Sequence, residues 1–263
     1  MAKKFYVVWQ GRTPGIYTDW NSCKQQVDKF AGAKYKSFPT MVEAEQAFVG
    51  VHGASTAKKG TALKKASSTS AKSATKPNTI KTYTAAEIAK MPIDVKIFTD
   101  GGCDPNPGQA GSGMAVYRDG NIAELWYGLY NPMGTNNTAE LNALHQALMM
   151  AQIESNQGKS VTIFCDSKYS IQCVTQWAIG WKKKGWKKAG GEIKNLELIK
   201  EMFALHQQLK DKIQVLHVNG HVGVEGNELA DRMSMIAIAE KETRFTRYKD
   251  EINVAEILKM QAG

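Results

Sequence analysis

Two short apolar runs, DVKIFTD at residues 94–100 and VTIFCD at residues 161–166, each end in an aspartate. Short runs rich in Val, Ile, Phe and Thr are typical of buried strands. In an open α/β sheet, ligands bind in the crevice beyond the carboxyl ends of the strands. The sequence therefore predicts that Asp100 and Asp166 lie close together at one edge of a sheet.

The segments around these two runs alternate between strand and helix patterns. GSGMAVYRDGNIAELWYGLY at residues 111–130 predicts a hairpin that turns at Asp119 and Gly120. A further strand is predicted at 213–220, and helices are predicted at 135–152, 167–181, 195–209 and 227–240. Strands separated by helices predict an α/β domain with a mixed sheet flanked by helices.

Two more acids are expected near the same crevice. Glu140 lies in the first turn of the helix after the hairpin, and Asp231 lies on the last helix, after the Gly-rich run at 220–226. Because helix dipoles also favour acids in the first turn, a capping role is the alternative for Glu140. Four converging carboxylates repel one another unless divalent cations that prefer oxygen ligands bind between them. A pair of such ions supports in-line displacement at a phosphodiester, which predicts a nucleic-acid substrate.

The first 48 residues hold nine of the 23 aromatic side chains of the chain. So small a segment cannot bury all of these rings, and we expect some of them to stack on sugars or bases. The alternative is an aromatic core without a binding role. KKFYVVW at 3–9 predicts a strand and NSCKQQVDKF at 21–30 predicts a helix capped by Asn21. Trp20, at the junction of the two, is interpreted as a binding residue.

Residues 53–92 separate this segment from the α/β segment. Most of them are Ala, Ser, Thr, Gly and Lys, which cannot bury enough surface to offset the entropy of ordering. We predict a flexible linker that reaches ~35 Å. It carries eight lysines and one acid, whereas residues 93–263 carry 19 basic and 20 acidic groups. The net charge of +9 thus comes from the amino-terminal third, as in a tether for a polyanion or in a solubilising tail.

The composition and the first residues favour a folded protein outside the membrane. Of the 263 residues 43% are hydrophobic and 22% are charged, which is typical of globular proteins. No run approaches the ~20 apolar residues of a membrane helix, and the start MAKKFYVVWQ lacks the apolar core of a signal peptide. Cys23, Cys103, Cys165 and Cys173 have no CxxC spacing and are interpreted as packed thiols. We expect a cytoplasmic protein with no membrane partner.

Five motifs stand in a fixed order between residues 99 and 231: TDGGCDPNPG, TNNTAE, CDSKYS, WKKKGW and NGHVGVEGNELAD. In order and spacing they resemble the catalytic domain of type 1 ribonuclease H. KKFYVVWQGRTPGIYTDWNSC at 3–23 and QQVDKFAGAKYKSF at 25–38 resemble the amino-terminal hybrid-binding domain found in many of these enzymes.

The resemblance implies a fold and a domain organisation. The fold is a ribonuclease H-like mixed α/β sheet flanked by helices, preceded by a small α+β hybrid-binding domain and a flexible linker. The expected parts are a hybrid-binding domain at 1–52, a basic linker at 53–92, a catalytic domain at 93–245 and a carboxy-terminal extension of unassigned role at 246–263.

The resemblance also implies a chemistry. The family cleaves the RNA strand of RNA/DNA hybrids endonucleolytically and leaves 5′-phosphate and 3′-hydroxyl ends. Four carboxylates hold two Mg²⁺ ions, and Mn²⁺ is the alternative ion. By the family's motifs these carboxylates are Asp100, Glu140, Asp166 and Asp231. His221 matches the family's loop histidine, which assists proton transfer and product departure, and an imidazole titrates in the range this role needs.

Positions that match hybrid-binding residues of the family occur in both domains. Those expected near the 2′-hydroxyls and the minor groove, together with Glu140, are Gly102, Cys103, Asn106, Asn136 and Asn137. Those expected at a DNA phosphate or along the DNA channel are Thr135, Asn195, Trp177 and Trp181. A basic protrusion is expected at Lys182, Lys183, Lys184, Trp186, Lys187 and Lys188. The small domain contributes Tyr6, Trp20, Tyr35 and Lys36.

Three positions depart from the family's pattern. Ser37 stands where a second basic residue is common, and Met133 stands where some relatives have an arginine for the DNA phosphate. Lys168 replaces a residue that is frequently neutral. The first two departures leave the strength of hybrid binding open, and the third leaves the cleavage preference open.

Two other functions remain as alternatives. One is a hybrid-binding protein of the same fold without activity, which the presence of all four carboxylates opposes. The other is a different nuclease built on this sheet, such as an integrase or a resolvase, which would cleave duplex DNA. The expected substrate is an RNA/DNA hybrid, and we expect the protein to be a monomer.

Overall fold

The structure is a computed structural model that describes residues 5–13, 15–28, 30, 32–38, 44, 80–188, 191–220 and 223–263. The chain divides into two compact units, Met1–Ser73 and Ala74–Gly263, and each unit contains its own sheet. The boundary between the units falls within the predicted linker, of which residues 53–79 lie outside the described residues.

The first unit is a small antiparallel sheet with a helix packed on it. Val8 on the central strand packs against Cys23 and Val27 on the helix. The predicted small α+β domain is therefore confirmed in the described part of this unit. Its elements are β1 (Phe5–Gln10), β2 (Gly15–Tyr17), α1 (Trp20–Val27) and β3 (Lys34–Phe38), and β1 lies between β2 and β3.

Helix α1 is capped by Asp19 and not by Asn21, so this prediction was wrong. The Asp19 carboxylate accepts a hydrogen bond from the backbone N–H of Ser22 at 2.9 Å. Hydrogen bonding from Ser22 also lowers the pKa of Asp19. Asp and Asn are about equally good N-cap residues, so the sequence could not choose between two candidates that are two residues apart.

The second unit is built on a seven-stranded mixed sheet. The strands are β4 (Thr82–Tyr83), β5 (Val95–Asp104), β6 (Gly108–Arg118), β7 (Asn121–Gly134), β8 (Val161–Cys165), β9 (Ile213–Val218) and β10 (Thr246–Arg247). The strand order is β10–β7–β6–β5–β8–β9–β4, in which β5, β6 and β7 form an antiparallel meander, and β5, β8, β9 and β4 run parallel. The predicted hairpin turn at Asp119 and Gly120 is confirmed, and both residues have positive φ, as a tight two-residue turn requires.

Helices cover both faces of this sheet because successive strand residues point to opposite faces. On one face Ile97 packs in a cluster with Leu144 of the helix at 136–156, and on the other Phe98 packs in a cluster with Leu229 of the helix at 225–240. A π-helical turn at Cys173–Trp177 interrupts the single helix predicted at 167–181. The helices are α2 (Ala85–Ala89), α3 (Asn136–Asn156), α4 (Lys168–Gln172), α5 (Ala178–Lys183), α6 (Leu196–Leu209), α7 (Glu225–Glu240) and α8 (Val254–Ile257). Among the helices in the described ranges, none has both the length and the apolarity needed to span a membrane.

Two segments outside the predicted catalytic domain belong to the second unit. Residues 82–92, at the end of the predicted linker, include β4, which pairs with β9, and α2, whose Ile88 is buried. The folded part of this unit therefore begins before residue 93. At the other end, β10 pairs with β7, and Ile257 of α8 is buried in the cluster on the α7 face. The extension at 246–263 thus contributes to the core.

The close approach of β5 and α3 depends on Gly101. A Cβ atom at this position would collide with the backbone of Ala139 and Glu140. Any side chain at Gly101 would therefore push the first turn of α3 away from the strand. Gly101 thus allows Glu140 to lie beside Asp100, which is the residue directly before the glycine.

Candidate active site

Four carboxylates line one pocket of about 250 Å³ in the second unit. They are Asp100, Glu140, Asp166 and Asp231. Asp100, Glu140 and Asp231 are 7%, 5% and 2% exposed, and Asp166 is half-buried. The structure therefore brings together all four acids that the sequence predicts as metal ligands.

The topology explains why these acids meet. Asp100 lies on β5, and Asp166 directly follows β8, which runs parallel to β5 with Thr99 paired to Cys165. Both acids therefore reach the same edge of the sheet. Glu140 lies near the start of α3, which packs on β5. Asp231 lies on α7, which packs on the other face of the sheet.

The charges of Asp100 and Glu140 are poorly compensated by the protein. Burial and the neighbouring charges of Asp166 and Asp231 raise the pKa of Asp100 well above its usual range. Burial and the charges of Asp166 and Asp100 do the same to the pKa of Glu140. Glu140 Oε2 is buried and has no hydrogen-bond partner among the residues that the structure describes. An oxygen-rich, charge-excess pocket with such an atom fits divalent cations, which prefer carboxylate ligands.

Several contacts to these acids were not predicted from the sequence. Arg232 forms an ion pair with its neighbour Asp231 and also donates to the backbone oxygen of Leu258. The backbone N–H of Gly263 donates to Asp231 Oδ1 at 3.0 Å. The Asn227 side chain donates to Asp166 Oδ2 at 3.2 Å. The sequence assigns no role to residues 246–263, and nothing in it indicates the contact of Gly263 with Asp231.

A buried histidine supports the Asp166 segment. His217 Nε2 lies 3.0 Å from the backbone oxygen of Asp166, and His217 Nδ1 lies 2.8 Å from Thr82 Oγ1. Burial and the charge of Lys168 lower the pKa of His217 to about 4. His217 matches no motif in the sequence, and no local pattern indicates its contact with Asp166. His221, the predicted proton-transfer residue, lies outside the described residues.

The predicted hybrid-binding residues of the second unit form three groups, and the first group lies at the pocket. Gly102, Cys103 and Asn136 line it, and Asn106 Oδ1 accepts from the backbone N–H of Asn136 at 3.3 Å. Asn137 is exposed on the first turn of α3.

The second group lies at the N-terminus of α3. Thr135 caps this helix by accepting from the backbone N–H of Thr138 at 3.2 Å. The Thr138 hydroxyl donates to Asn195 Oδ1 at 3.1 Å. The predicted phosphate-binding residues Thr135 and Asn195 are therefore linked through Thr138. Short polar side chains at a helix N-terminus are suited to an anion.

The residues of the predicted DNA channel and of the basic protrusion lie on α5 and in the segments directly before and after it. The rings of Trp177 and Trp181 have centroids 5.9 Å apart, and Trp177 is exposed. Trp186 is half-buried and packs edge-on against Phe203, with ring centroids 6.0 Å apart, so part of its surface is buried against the core. The side chains that carry the positive charge are all exposed: Lys182, Lys183, Lys184, Lys187 and Lys188.

The four predicted binding residues of the first unit lie on adjacent elements. The Trp20 ring lies between Tyr6 at 5.5 Å and Tyr35 at 5.9 Å, measured between ring centroids. Trp20 and Tyr35 are 42% and 46% exposed, and Lys36 is exposed as well. Exposed rings form a surface on which bases or sugars can stack. Lys36 points to the other face of β3 from Tyr35, and its Nζ atom lies 5.5 Å from the centroid of the Phe38 ring.

Two protein-family models match the chain. The RNase H model matches residues 92–239, and the model described as the Ribonuclease H1 N-terminal domain matches residues 4–48. The chain belongs to the ribonuclease H family. It is a ribonuclease H with the two-domain organisation of Ribonuclease H1, as the sequence predicts.

Relatives of this ribonuclease H share its whole organisation or its second unit alone. Ribonuclease H1 of Mus musculus is 34% identical over 255 residues, which cover 88% of this chain and 87% of the relative. Ribonuclease H1 of Homo sapiens is 34% identical over 256 residues with the same coverage. Ribonuclease H of Acidovorax sp. is 41% identical over 142 residues, which cover 53% of this chain and 91% of the relative.

The fold is also found among solved structures. The crystal structure of LC9-RNase H1, a type 1 RNase H with the type 2 active-site motif, matches with a TM-score of 0.50 and 23% identity. The match covers 65% of this chain and 83% of that protein. This similarity confirms the predicted ribonuclease H-like mixed α/β fold.

Proposed function

We propose that this ribonuclease H is an endoribonuclease that hydrolyses the RNA strand of RNA/DNA hybrids with the aid of two Mg²⁺ ions. The convergence of Asp100, Glu140, Asp166 and Asp231 in one pocket carries this proposal. Products with 5′-phosphate and 3′-hydroxyl ends follow the expectation for the family.

The four carboxylates are the residues that would hold the ions. Bound ions supply a water nucleophile at neutral pH and neutralise charge on the leaving oxygen. Asp100 lies on β5 and Asp166 directly follows β8, so the pairing of these two strands sets the spacing of the two acids. Glu140 and Asp231 approach from the helices on its two faces. Their burial excludes bulk water from the reacting phosphate, which strengthens every charge interaction in the pocket.

Selection of the hybrid requires one strand to be recognised as RNA and the other as DNA. Backbone groups near Gly102 and Cys103 lie in the same pocket as the acids, within reach of a 2′-hydroxyl on the strand that is cut. Thr135, Thr138 and Asn195 form the linked polar group at the start of α3, which suits a phosphate of the DNA strand. The polar groups in the pocket and those at the start of α3 support recognition of both strands.

Both units contribute to affinity. The exposed lysines from Lys182 to Lys188 attract the phosphate backbone through charge, largely without regard to sequence. Trp20 and Tyr35 in the first unit stack on the nucleic acid. Because the units belong to one chain, binding by one raises the effective concentration of the other along the same duplex.

We also propose that the protein acts in the cytoplasm as a monomer. All four cysteines are free thiols, which is in keeping with a reducing compartment. Mg²⁺ is the proposed ion because the family resemblance implies it, and Mn²⁺ is the alternative because carboxylate ligands suit both ions.

The test is cleavage of an RNA/DNA hybrid labelled on both strands, with duplex DNA and duplex RNA as parallel substrates. The full-length protein is expected to cut only the RNA strand of the hybrid, and only when Mg²⁺ or Mn²⁺ is added. Asp100→Asn should abolish cleavage while hybrid binding is retained. Glu197→Gln, which alters an exposed acid on α6 outside the pocket, is the matched control and should cleave normally. Cleavage of duplex DNA would favour the integrase-like alternative, and hybrid binding without cleavage would favour the inactive one.

A further inference from the structure

A buried thiol that the proposed reaction does not use lies beside two of the acids that line the carboxylate pocket. Cys165 is the last residue of β8, directly before Asp166, and its side chain is fully buried. Cys165 Sγ and carboxylate oxygens of Glu140 and Asp166 all lie within 4.8 Å of one another. The thiol thus stands beside two of the four acids that would hold the metal ions.

This group of ligand atoms differs in chemistry from the four carboxylates taken alone. Carboxylate oxygens suit Mg²⁺, whereas thiolate sulfur selects softer ions such as Zn²⁺ and does not suit Mg²⁺. One sulfur and two carboxylate oxygens are three of the four ligands that a tetrahedral Zn²⁺ site needs, and water supplies the fourth. Zn–S and Zn–O bonds of ~2.3 and ~2.1 Å at a tetrahedral angle place sulfur and oxygen about 3.6 Å apart. Because the ligand atoms lie within 4.8 Å of one another, each sulfur–oxygen pair has to approach by at most about 1.2 Å.

A second observation points to an ion at this place. Glu140 is 5% exposed, and its Oε2 atom is buried without a hydrogen-bond partner among the residues that the structure describes. A buried carboxylate oxygen that lacks a donor is costly, and a cation removes the cost. Cys103 also lines the pocket, but neither Cys103 nor Cys173 belongs to the group of ligand atoms formed with Glu140 and Asp166.

We propose that Cys165, Glu140 and Asp166 form an inhibitory site for soft divalent cations of the Zn²⁺ and Cd²⁺ class, in which the ion is bound through Cys165 Sγ. The inference rests on the proposed carboxylate metal site, since Glu140 and Asp166 belong to both. On binding, the S–H bond breaks, the metal–sulfur bond forms, and the proton passes to the solvent. An ion bound in this way takes two of the acids from the Mg²⁺ site, so Zn²⁺ competes with Mg²⁺ and stops cleavage.

The experiment is a titration of the full-length, metal-free protein with Cd²⁺, monitored by the ultraviolet charge-transfer absorption of a cadmium–thiolate bond. The unaltered protein is expected to show this band at one equivalent, and excess Mg²⁺ should weaken it. Cys165→Ser should lose the band, whereas the matched controls Cys103→Ser and Cys173→Ser should keep it. A band that persists in Cys165→Ser, or no band in the unaltered protein, would overturn the proposal.

A second measurement needs no variant and covers the case in which Cys165→Ser does not fold. The ¹¹³Cd resonance of the unaltered protein should fall in the range of mixed sulfur and oxygen ligation, and a shift typical of oxygen ligands alone would refute a sulfur bond. In cleavage assays, Cys165→Ser should need at least a tenfold higher Zn²⁺ concentration for half-inhibition, relative to its own activity in Mg²⁺. Mg²⁺-dependent cleavage without a cadmium–thiolate band would overturn this inference alone. The band without cleavage in any metal would overturn the proposed function alone.

Discussion

His217 Nε2 lies 3.0 Å from the backbone oxygen of Asp166. His217 is on β9, which pairs with β8, and Asp166 directly follows β8. A carbonyl oxygen only accepts hydrogen bonds, so Nε2 carries the proton and donates, and Nδ1 accepts from the Thr82 hydroxyl at 2.8 Å. Thr82 lies on β4, whose register pairs it with His217. Thr82 on β4, at the end of the predicted linker, is therefore connected to Asp166 through the side chain of His217.

Removing the Thr82 hydroxyl is expected to destabilise the protein. Thr82→Val keeps the shape of the side chain but leaves Nδ1 of a buried histidine without its donor, at a cost of about 1–3 kcal/mol in the free energy of unfolding. Thr82→Ser keeps the hydroxyl and should cost much less. Urea denaturation of both variants measures the difference. Equal stability of Thr82→Val and the unaltered protein would mean that the hydrogen bond contributes nothing.

The pocket acids should make the metal-free protein less stable as the pH rises. The pKa of Asp100 is raised in the folded state, so above the ordinary carboxyl pKa the folded protein binds the proton more tightly than the unfolded chain does. The free energy of unfolding therefore falls as the pH rises towards the folded pKa. Asp100→Asn should weaken this fall and raise the stability at neutral pH, as measured by urea denaturation in a chelator.

Asp94→Asn is the control, and it should change the stability at neutral pH in the opposite direction to Asp100→Asn. Asp94 accepts from the backbone N–H and the hydroxyl of Ser160 at 2.8 and 2.7 Å, and these bonds lower its pKa. The contribution of Asp94 to the free energy of unfolding is present above the ordinary carboxyl pKa. This contribution is lost as the pH falls through the pKa that Asp94 has in the folded protein. Asp94→Asn should therefore lower stability at neutral pH. Stabilisation by both variants, or by neither, would contradict the electrostatic explanation of the pocket.

Neutralising the basic protrusion should weaken hybrid binding in a salt-dependent way. Replacing Lys182, Lys183 and Lys184 by serine removes up to three ion pairs with phosphates, and each such ion pair accounts for ~1 in the slope of log affinity against log salt. The control replaces the exposed Lys159, Lys210 and Lys212, at the opposite end of the sheet from the pocket. Fluorescence anisotropy in Ca²⁺ without Mg²⁺ measures both. The same slope in the two triple variants would exclude a specific role for the protrusion.

Trp20→Ala should weaken hybrid binding without lowering the rate at saturating substrate. The loss of one stacked base costs about 1–3 kcal/mol of binding free energy. Trp20 belongs to the first unit, whereas all four pocket acids belong to the second, so KM should rise and kcat should stay constant. Gln25→Ala, at an exposed position on the same helix, is the control. A fall in kcat with KM unchanged would contradict a pure binding role.

The central sheet and the acids of the pocket could be predicted because their signals are local or positional. Apolar runs that end in Asp100 and Asp166 predict strands, and parallel strands bring their carboxyl ends to one edge. The hairpin at Asp119 and Gly120 has a turn sequence of its own. These features follow from residues that are adjacent in the sequence or from a general rule of sheet topology.

The interactions that could not be predicted depend on pairings between distant segments. Thr82 reaches Asp166 only because β4 joins the edge of the sheet beside β9, and a two-residue strand has no period to detect. Gly263 reaches Asp231 only after β10 and α8 have packed against the sheet and α7. Gly101 has no local signature for the approach of α3, because the clash it avoids is with the backbone of another element.

The most direct measurement of the central claim is anomalous diffraction from crystals of the full-length protein grown with Mn²⁺. The proposed two-ion site predicts a pair of anomalous peaks in the pocket, bound by carboxylate oxygens of Asp100, Glu140, Asp166 and Asp231. Peaks outside the pocket, or a pocket that stays without metal at saturating Mn²⁺, would contradict it.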